Sequence, residues 1–270
     1  MKKAFNFYIN SSLHVAFAVV AFTLITILNF KVPVNFTLLL FIFFSTITGY
    51  NFIKYAAIAK FHHFSLRPGL KIIQFFSLLC FGCTIATLFF QSIEVIITSA
   101  ILGIFTLLYA LPVTGNGNLR AIPGLKIYIT AFVVAGVTVV LPLISQGHFP
   151  KFDHVIDFLQ RVLIAIVLIL PFEIRDLDRD IARLETIPQK LGILSTKKLG
   201  YVLVLVFCLL EIFKTQTNIA YLISLLFLGI LCVFFLMRSS EDQGKYFASF
   251  WVEAAPLFWL GVLYLLDKVI

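Results

Sequence analysis

Residues 219–237 read IAYLISLLFLGILCVFFLM, without a single charged side chain. The hydrocarbon core of a bilayer is about 30 Å thick, and a helix needs about 20 predominantly apolar residues to cross it. The stretch has this length and this composition. It therefore predicts a membrane-spanning α-helix.

Similar apolar stretches recur along the chain, separated by charged residues, proline or glycine. The chain is 61% hydrophobic and 13% charged, whereas soluble domains are about 45–50% apolar and about 25% charged. This composition excludes an ordinary soluble enzyme, a disordered chain and a secreted disulfide scaffold. The sequence predicts an all-α integral membrane protein with nine spans, which are Leu13–Phe30, Val34–Lys54, Leu70–Phe90, Ile93–Leu111, Ile127–Ser145, Val155–Pro171, Leu199–Phe213, Ile219–Met237 and Phe247–Leu266.

The positive charges predict the orientation of these spans. With a cytoplasmic N-terminus, 16 of the 21 Lys and Arg residues lie in inner segments, and the outer segments hold Lys31, Lys151, Arg161, Lys214 and Lys268. Cytoplasmic loops carry an excess of Lys and Arg, so we expect the N-terminus inside and the C-terminus outside. The net charge of +8 then reflects topology and contact with anionic lipid rather than nucleic-acid binding.

Acidic residues are concentrated after the sixth predicted span. Five of the 13 fall in the stretch PFEIRDLDRDIARLETIP, which runs from Pro171 to Pro188. Asp176 and Asp180 are spaced i, i+4, so they share a face of a helix. Two such carboxylates can hold Mg²⁺, which takes oxygen ligands and commonly joins carboxylates to substrate phosphates.

Arginines are interleaved with these acids. Arg175, Arg179 and Arg183 are also four residues apart, and guanidinium groups suit the recognition of phosphate oxygens. The same pattern is equally typical of a solvated helix end with intrahelical Asp–Arg pairs. Spacing alone leaves both interpretations open.

The longer string resembles the second aspartate motif of the UbiA-type intramembrane prenyltransferases. It consists of Arg175, Asp176-x-x-x-Asp180, then Thr186-x-Pro188 and Leu191-Gly192, with Arg183 where the family usually has glycine. The segment Leu108-Tyr109-Ala-Leu-Pro112, followed by Leu119-Arg120 and Lys126, is similar to the family's Tyr-Ser-x-Pro stretch and basic loop.

The first aspartate motif of that family departs from its pattern here. Asn51 and Arg67-Pro68 fit, but the aspartate positions hold Phe52, Tyr55 and Ala59. Any metal site would then depend on the second motif. Two explanations remain open: the cationic residues Lys54, Lys60, His62, His63 and Arg67 compensate for the missing carboxylates, or the protein has lost the chemistry and kept an isoprenoid-binding cavity.

The resemblance implies one UbiA-like domain over residues 1–270, with nine helices around a central cavity and a polar cap on the cytoplasmic side. It implies Mg²⁺-dependent prenyl transfer from a polyprenyl diphosphate to an aromatic or other lipophilic acceptor, in a bacterial inner membrane. The metal ligands would be Asp176, Asp178 and Asp180, and Tyr109 would contact the diphosphate or the departing carbocation. The diphosphate-binding residues would be Asn51, Lys60, Arg67, Arg120, Lys126 and Arg179. The alternative is a member without catalysis that binds an isoprenoid or a partner protein.

Three further polar residues fall inside or beside spans. Glu253 is either a cavity acid that meets the acceptor or a cation, or a helix-packing group, because ionisable side chains in a bilayer usually face an interior or a wet cavity. His14 is expected to be packed or interfacial. Glu211 is expected at an outer interface.

Overall fold

The computed structural model describes residues 2–61, 68–110, 124–148, 151–177, 186–216 and 218–269. All regular secondary structure within these ranges is helical. The α-helices are α1 Lys2–Asn10, α2 Leu13–Asn29, α3 Phe36–Phe61, α4 Pro68–Leu88, α5 Ile93–Ala110, α6 Leu125–Ala135, α7 Leu141–Ile144, α8 Phe152–Arg175, α9 Ile187–Leu209, α10 Ile219–Arg238 and α11 Ala255–Val269.

Short irregular turns extend three of these helices. A π-helical segment, Gly136–Val140, joins α6 to α7, a 3₁₀ turn, Leu210–Phe213, follows α9, and a second π-helical segment, Phe247–Val252, leads towards α11. At the first of them, a Cβ on Gly136 would lie 2.6 Å from Leu102 Cδ2. A larger residue at this position would require the Leu102 side chain of α5 to move.

Seven helices of the described chain are long and apolar enough to cross a membrane, among them Phe152–Arg175 and Ile219–Arg238. The pair Lys3–Asn10 and Leu13–Asn29, bent by 53°, passes the same test when taken together, and Ile93–Leu108 is a shorter apolar helix. An all-helical integral membrane protein is therefore confirmed, and the number of nine spans stays a prediction.

Large apolar side chains point outwards from the bundle. Ile212, Ile230 and Leu265 are 73%, 72% and 66% exposed. In water such a surface would aggregate, whereas the hydrocarbon of a bilayer is as apolar as these side chains.

Helices α8 to α11 pack into a closed half of the bundle, joined by parts of α2 and α6. Trp259, Phe207 and Leu170 are at most 1% exposed there. Gly200 brings α9 close to α10, because a Cβ at this position would lie 2.6 Å from Leu236 Cδ1. These contacts leave the larger open space on the other side of α2.

The closed half contains a buried charge cluster, which we define as Asp157, Gln160, Glu211, Lys214 and Tyr221. Lys214 Nζ pairs with Asp157 Oδ1 and lies 2.6 Å from Glu211 Oε2. Gln160 Nε2 donates to Glu211 Oε2 at 3.0 Å, and the Tyr221 hydroxyl donates to Asp157 Oδ1 at 3.3 Å. The cluster joins α8, the end of α9 and the start of α10.

Arg161, one residue beyond the buried charge cluster on α8, connects it to α2. It is 2% exposed, and its guanidinium donates to Phe22 O at 2.7 Å and to Thr26 Oγ1 at 3.2 Å. The group also lies 4.4 Å from the Phe22 ring centroid and 5.4 Å from that of Trp259. Every one of these contacts lies inside the bundle.

Three residues that the sequence places towards the outer side are buried within the bundle. Arg161 and Lys214 were assigned to outer segments and Glu211 to an outer interface, and their exposures are 2%, 8% and 1%. The side of the membrane on which they lie stays a prediction. Lys214 pairs with Asp157 and Glu211, and Arg161 donates to Phe22 O and Thr26 Oγ1, so the interior accepts these charges. His14 is packed as expected: its ring stacks on Phe250 and its Nε2 lies 2.9 Å from Phe250 O.

We predict that Lys214→Met strongly destabilises the protein. Removing the cation leaves the Asp157 and Glu211 carboxylates together without a countercharge, and breaking a buried pair in this way costs about 3–5 kcal/mol. Thermal unfolding in detergent measures the effect. The matched control is Lys268→Met, which removes the same charge from an exposed position; equal melting temperatures for the two variants would contradict the prediction.

Candidate functional site

Asn51 of α3 makes three hydrogen bonds beside the break between α1 and α2. Asn51 Oδ1 accepts from Ser12 Oγ at 2.7 Å, and its Nδ2 donates to Ser11 O at 3.0 Å and to Ser77 Oγ at 2.7 Å. Ser12 itself has a φ of 63°, a region that non-glycine residues rarely occupy. Asn51 thus connects the break to both α3 and α4.

Two neighbours of Asn51 strengthen the same junction. The Tyr55 hydroxyl donates to Asn10 O at 2.8 Å, and Lys54 Nζ donates to the same oxygen at 3.5 Å. The last carbonyls of a helix have no intrahelical partner, so these side chains satisfy the end of α1. The polar end of α3 therefore first serves to fix the bent helix pair.

A cavity of about 1320 Å³ opens beside this junction. Helices α2 to α6 line it, together with the first π-helical segment and Leu141 of α7. Most of its lining is apolar. The charged, amide and phenol groups of the lining are found where α3 ends and α4 begins, namely Tyr50, Asn51, Tyr55, Lys71 and Gln74. Hydroxyl groups are distributed more widely along the walls, at Ser45, Thr46, Thr48, Ser77, Ser99, Thr106 and Thr130.

Lys71 is a cavity residue that the sequence analysis did not assign to the site. Within the described lining it is the single charged side chain. It lies on the first turn of α4, three residues after Pro68. Its position four residues after Arg67, in the stretch that follows the first motif, is the signal that would have identified it.

Arg175 and Asp176 form a paired group at the end of α8. Arg175 Nε donates to Asp176 Oδ1 at 2.8 Å, and a terminal nitrogen donates to Oδ2 at 2.9 Å. The Arg175 guanidinium also lies 5.2 Å from the Phe172 ring centroid. The pair is only partly buried, with 22% and 31% of the two side chains exposed. This geometry matches the interpretation as an Asp–Arg pair, and it leaves part of the carboxylate accessible.

Glu253 lies near the ends of α3 and α8. It is within electrostatic range of Lys54 and Arg175. Glu253 follows the second π-helical segment, which packs against α8. Glu253 is not among the described residues that line the cavity, so both interpretations of this residue stay open.

The second aspartate motif ends in an ordered helix start. The Thr186 backbone N–H donates to Gln189 Oε1 at 2.9 Å, and Pro188 occupies the first turn of α9, where a missing N–H costs nothing. Gly192 then has φ 76° and ψ 163° and breaks the helix. The conformation suits glycine because it has no Cβ.

Several predicted site residues lie outside the described part of the chain. These are Arg67, Arg120, Asp178, Arg179 and Asp180. Lys60 and Tyr109 belong to the last turns of α3 and α5, although their side chains are not described, and Lys126 is exposed on the first turn of α6. The structure thus brings together Asn51, Lys54, Arg175 and Asp176 at one end of the bundle, and the other assignments stay predictions.

The described residues do not form a metal centre by themselves. Among them there is no group of three or more His, Cys, Asp or Glu side chains that could hold an ion. Asp176 contributes one carboxylate, already paired with Arg175. A magnesium site would require Asp178 and Asp180 as well.

Solved structures show which fold this is. A UbiA homologue from Archaeoglobus fulgidus bound to DMAPP and Mg²⁺ is 11% identical, with a TM-score of 0.63 over 98% of this chain and 99% of that one. The same homologue bound to GPP and Mg²⁺ is 12% identical, with a TM-score of 0.61 over 96% and 99%. A digeranylgeranylglyceryl phosphate synthase is 18% identical, with a TM-score of 0.59 over 100% and 98%.

Models of known protein families and curated protein sequences give no match to this chain. The structural likeness covers nearly the whole chain. The protein is therefore an integral membrane protein with the UbiA-type prenyltransferase fold.

We predict that Asn51→Leu lowers the stability of the protein. The change leaves the Ser11 carbonyl and the Ser12 hydroxyl without their partner, and a buried polar group that loses its hydrogen bond costs about 1–3 kcal/mol. Thermal unfolding in detergent measures this loss. Gln74→Leu is the control, since it removes an exposed amide from the wall of the same cavity. An unchanged melting temperature with weaker pyrophosphate binding would instead assign Asn51 to the ligand.

Proposed function

We propose that the protein is a membrane prenyltransferase, which transfers a prenyl group from a polyprenyl diphosphate to an aromatic or other lipophilic acceptor. One observation carries the proposal. In a chain with the UbiA-type fold, a large apolar cavity has its one described cation, Lys71, and its amide and phenol groups at one end. Such a space suits a ligand with a long apolar chain and a highly charged head.

The apolar part of the cavity would hold the isoprenoid chain and the acceptor. Ligand pockets commonly occupy about 300–1,000 Å³ and have mostly apolar walls with a few polar groups that fix orientation. A volume of about 1320 Å³ is large enough for two lipophilic molecules to lie side by side. The allylic C–O bond would break there, with its electron pair leaving on the diphosphate, while the acceptor forms the new bond and releases a proton.

The charged end would hold the diphosphate. Lys71 lines the cavity, and Lys54 and Arg175 lie at the same end of the bundle. Lys60, Arg67, Arg120, Lys126 and Arg179 are proposed to add to this set, and Tyr109 to contact the diphosphate or the carbocation. Asn51 would act mainly through the junction that it holds, because both hydrogens of its amide are already donated to protein oxygens.

Asp176, Asp178 and Asp180 are the proposed ligands of Mg²⁺. When bound, this ion would neutralise charge on the diphosphate as it leaves. The side chains at the first-motif positions offer no carboxylate: Phe52 lines the cavity and the Tyr55 hydroxyl is bonded to Asn10 O. We therefore propose a site in which all the carboxylates come from the stretch after α8, and the lysines come from the end of α3 and the start of α4.

A second candidate is a protein that binds an isoprenoid without turning it over. The Arg175–Asp176 pair favours it, because an aspartate held by two charge-assisted hydrogen bonds is a weaker metal ligand than an unpaired one. Both functions require an isoprenoid ligand, and they differ in whether the protein transfers its prenyl group.

We further propose a bacterial inner membrane as the location, with the N-terminus cytoplasmic and the C-terminus outside, and one UbiA-like domain over residues 1–270 with nine spans. Burial of Arg161 and Lys214 strengthens the charge argument, since the outer cations that remain exposed are Lys31, Lys151 and Lys268. The polar end of the cavity would then be a cytoplasmic cap. No nucleic-acid partner is proposed.

We predict that Asp176→Asn strongly lowers turnover by this protein. The purified protein is given geranylgeranyl diphosphate, Mg²⁺ and a panel of aromatic acceptors, and pyrophosphate release and prenylated product are measured. Loss of the carboxylate should lower the rate by about 10²-fold or more, because charge stabilisation of this kind is worth several kcal/mol.

Asp267→Asn is the matched control, since Asp267 is exposed on the last turns of α11, and it should keep full activity. Tight binding of the diphosphate without any product across the panel would refute the transferase and support the binding protein. Equal rates for Asp176→Asn and Asp267→Asn would refute the site.

A labelling experiment tests the orientation. In a variant whose four cysteines are replaced by alanine, Lys3→Cys and Asp267→Cys are each exposed to a membrane-impermeant maleimide on intact cells. We expect Asp267→Cys to react from outside and Lys3→Cys to react only after the cells are opened. The reverse pattern would overturn the proposed topology.

A further inference from the structure

A second groove lies on the outside of the bundle, between α10 and α11. Its volume is about 680 Å³. The walls are mainly aromatic, and Phe227, Phe234, Trp251 and Phe258 are between 37% and 51% exposed. At the end of the groove where α10 terminates, the lining residues are Arg238, Gln243 and Gly244. We call it the α10–α11 groove.

The dimensions of the α10–α11 groove match one leaflet of a bilayer. Helix α10 has 20 residues, so at about 1.5 Å per residue it spans roughly 30 Å, the thickness of the hydrocarbon core. Arg238, its last residue, therefore lies at the boundary with the headgroups. Phe227 lies eleven residues deeper, at roughly 16 Å along the helix axis, close to the middle of the bilayer.

The charge at the headgroup end of the groove is positive and modest. The Arg238 guanidinium lies 5.8 Å from the Phe234 ring centroid, and Lys197 Nζ donates to the adjacent Met237 carbonyl at 3.1 Å. Glu241 and Asp242 are exposed on the following turn. Lys245, exposed next to Gly244, is a third cation at this end. Three cations beside two acids leave one net positive charge, which suits a phosphodiester with one negative charge and disfavours a diphosphate with several.

A hydrogen bond and a stacked pair of aromatic rings fix the residues around the groove. Gln243 Nε2 donates to Pro171 O at 3.0 Å, which attaches the loop to α8. The rings of Trp251 and Phe258 are stacked, with centroids 6.5 Å apart and planes 6° from parallel. The groove is thus a preformed feature of the fold, open to the hydrocarbon around it.

We propose that the α10–α11 groove is a binding site for one anionic phospholipid. An acyl chain lies along Phe227, Phe234 and Trp251, and the phosphodiester contacts Arg238. The proposal concerns a separate surface from the cavity and does not depend on the proposed transferase activity.

The test compares lipids that differ only in headgroup charge. The full-length protein in detergent is titrated with dioleoyl phosphatidylglycerol or dioleoyl phosphatidylcholine, and bound lipid is counted by native mass spectrometry. We expect one phosphatidylglycerol per chain, retained about fivefold more than phosphatidylcholine, the preference that one cation provides at a membrane surface. Equal retention of the two lipids would overturn the proposal.

Two variants locate the site. Arg238→Gln should remove the headgroup preference, whereas the matched control Lys198→Gln, which deletes an exposed cation on α9, should keep it. Gly244→Phe should reduce retention of both lipids, because a Cβ at this position meets nothing within 4 Å and the ring would extend into the groove.

An unchanged preference in Arg238→Gln would overturn the assignment, as would unchanged retention in Gly244→Phe. Geranylgeranyl diphosphate is added as a competitor in a further arm. Displacement of the phospholipid by equimolar diphosphate would identify the groove as a second isoprenoid site and overturn the phospholipid as its occupant.

Discussion

A lipid bilayer offers no hydrogen-bonding partner to a polar group inside it, and this constraint governs the whole structure. Helices satisfy their own backbone, so all regular secondary structure in the described part of the chain is helical. Polar side chains within the bundle must then satisfy one another. Lys214 does so with Asp157 and Glu211, and Arg161 does so with the Phe22 carbonyl and the Thr26 hydroxyl.

These pairings divide the bundle into two unlike halves. The buried charge cluster joins α8, α9 and α10 near the start of α8, and the aromatic packing around Trp259 fills the space beside it. No comparable set of charges is found between α3, α4 and α5 in the described chain, and there the helices leave the large cavity. The closed half thus serves as a rigid support against which an open half can hold ligands.

The polar end of the cavity lies at the opposite end of the molecule from the buried charge cluster. Asp157 and Asp176 are 19 residues apart on and just after α8, or roughly 28 Å at 1.5 Å per residue. Asn51 ties the bent pair α1–α2 to α3 and α4 at this end, while Glu253 is within electrostatic range of Arg175 and Lys54 there. The charges at the two ends therefore have separate roles, one in packing and one at the candidate site.

The sequence by itself determined the membrane environment, the helical class and the approximate spans. The length and hydrophobicity of a segment are local properties of the sequence, and they decide whether a helix can cross a bilayer. It also predicted the acidic stretch around Asp176 and the packed histidine, His14. Only the tertiary structure decided that Arg161, Glu211 and Lys214 are interior, that Asn51 is bound by three partners, and that Lys71 lines the cavity. Each of these depends on which helices meet: Asp157 and Lys214 are 57 residues apart and Asn51 and Ser12 are 39 apart, and hydrophobic spans do not encode which of their neighbours they pack against.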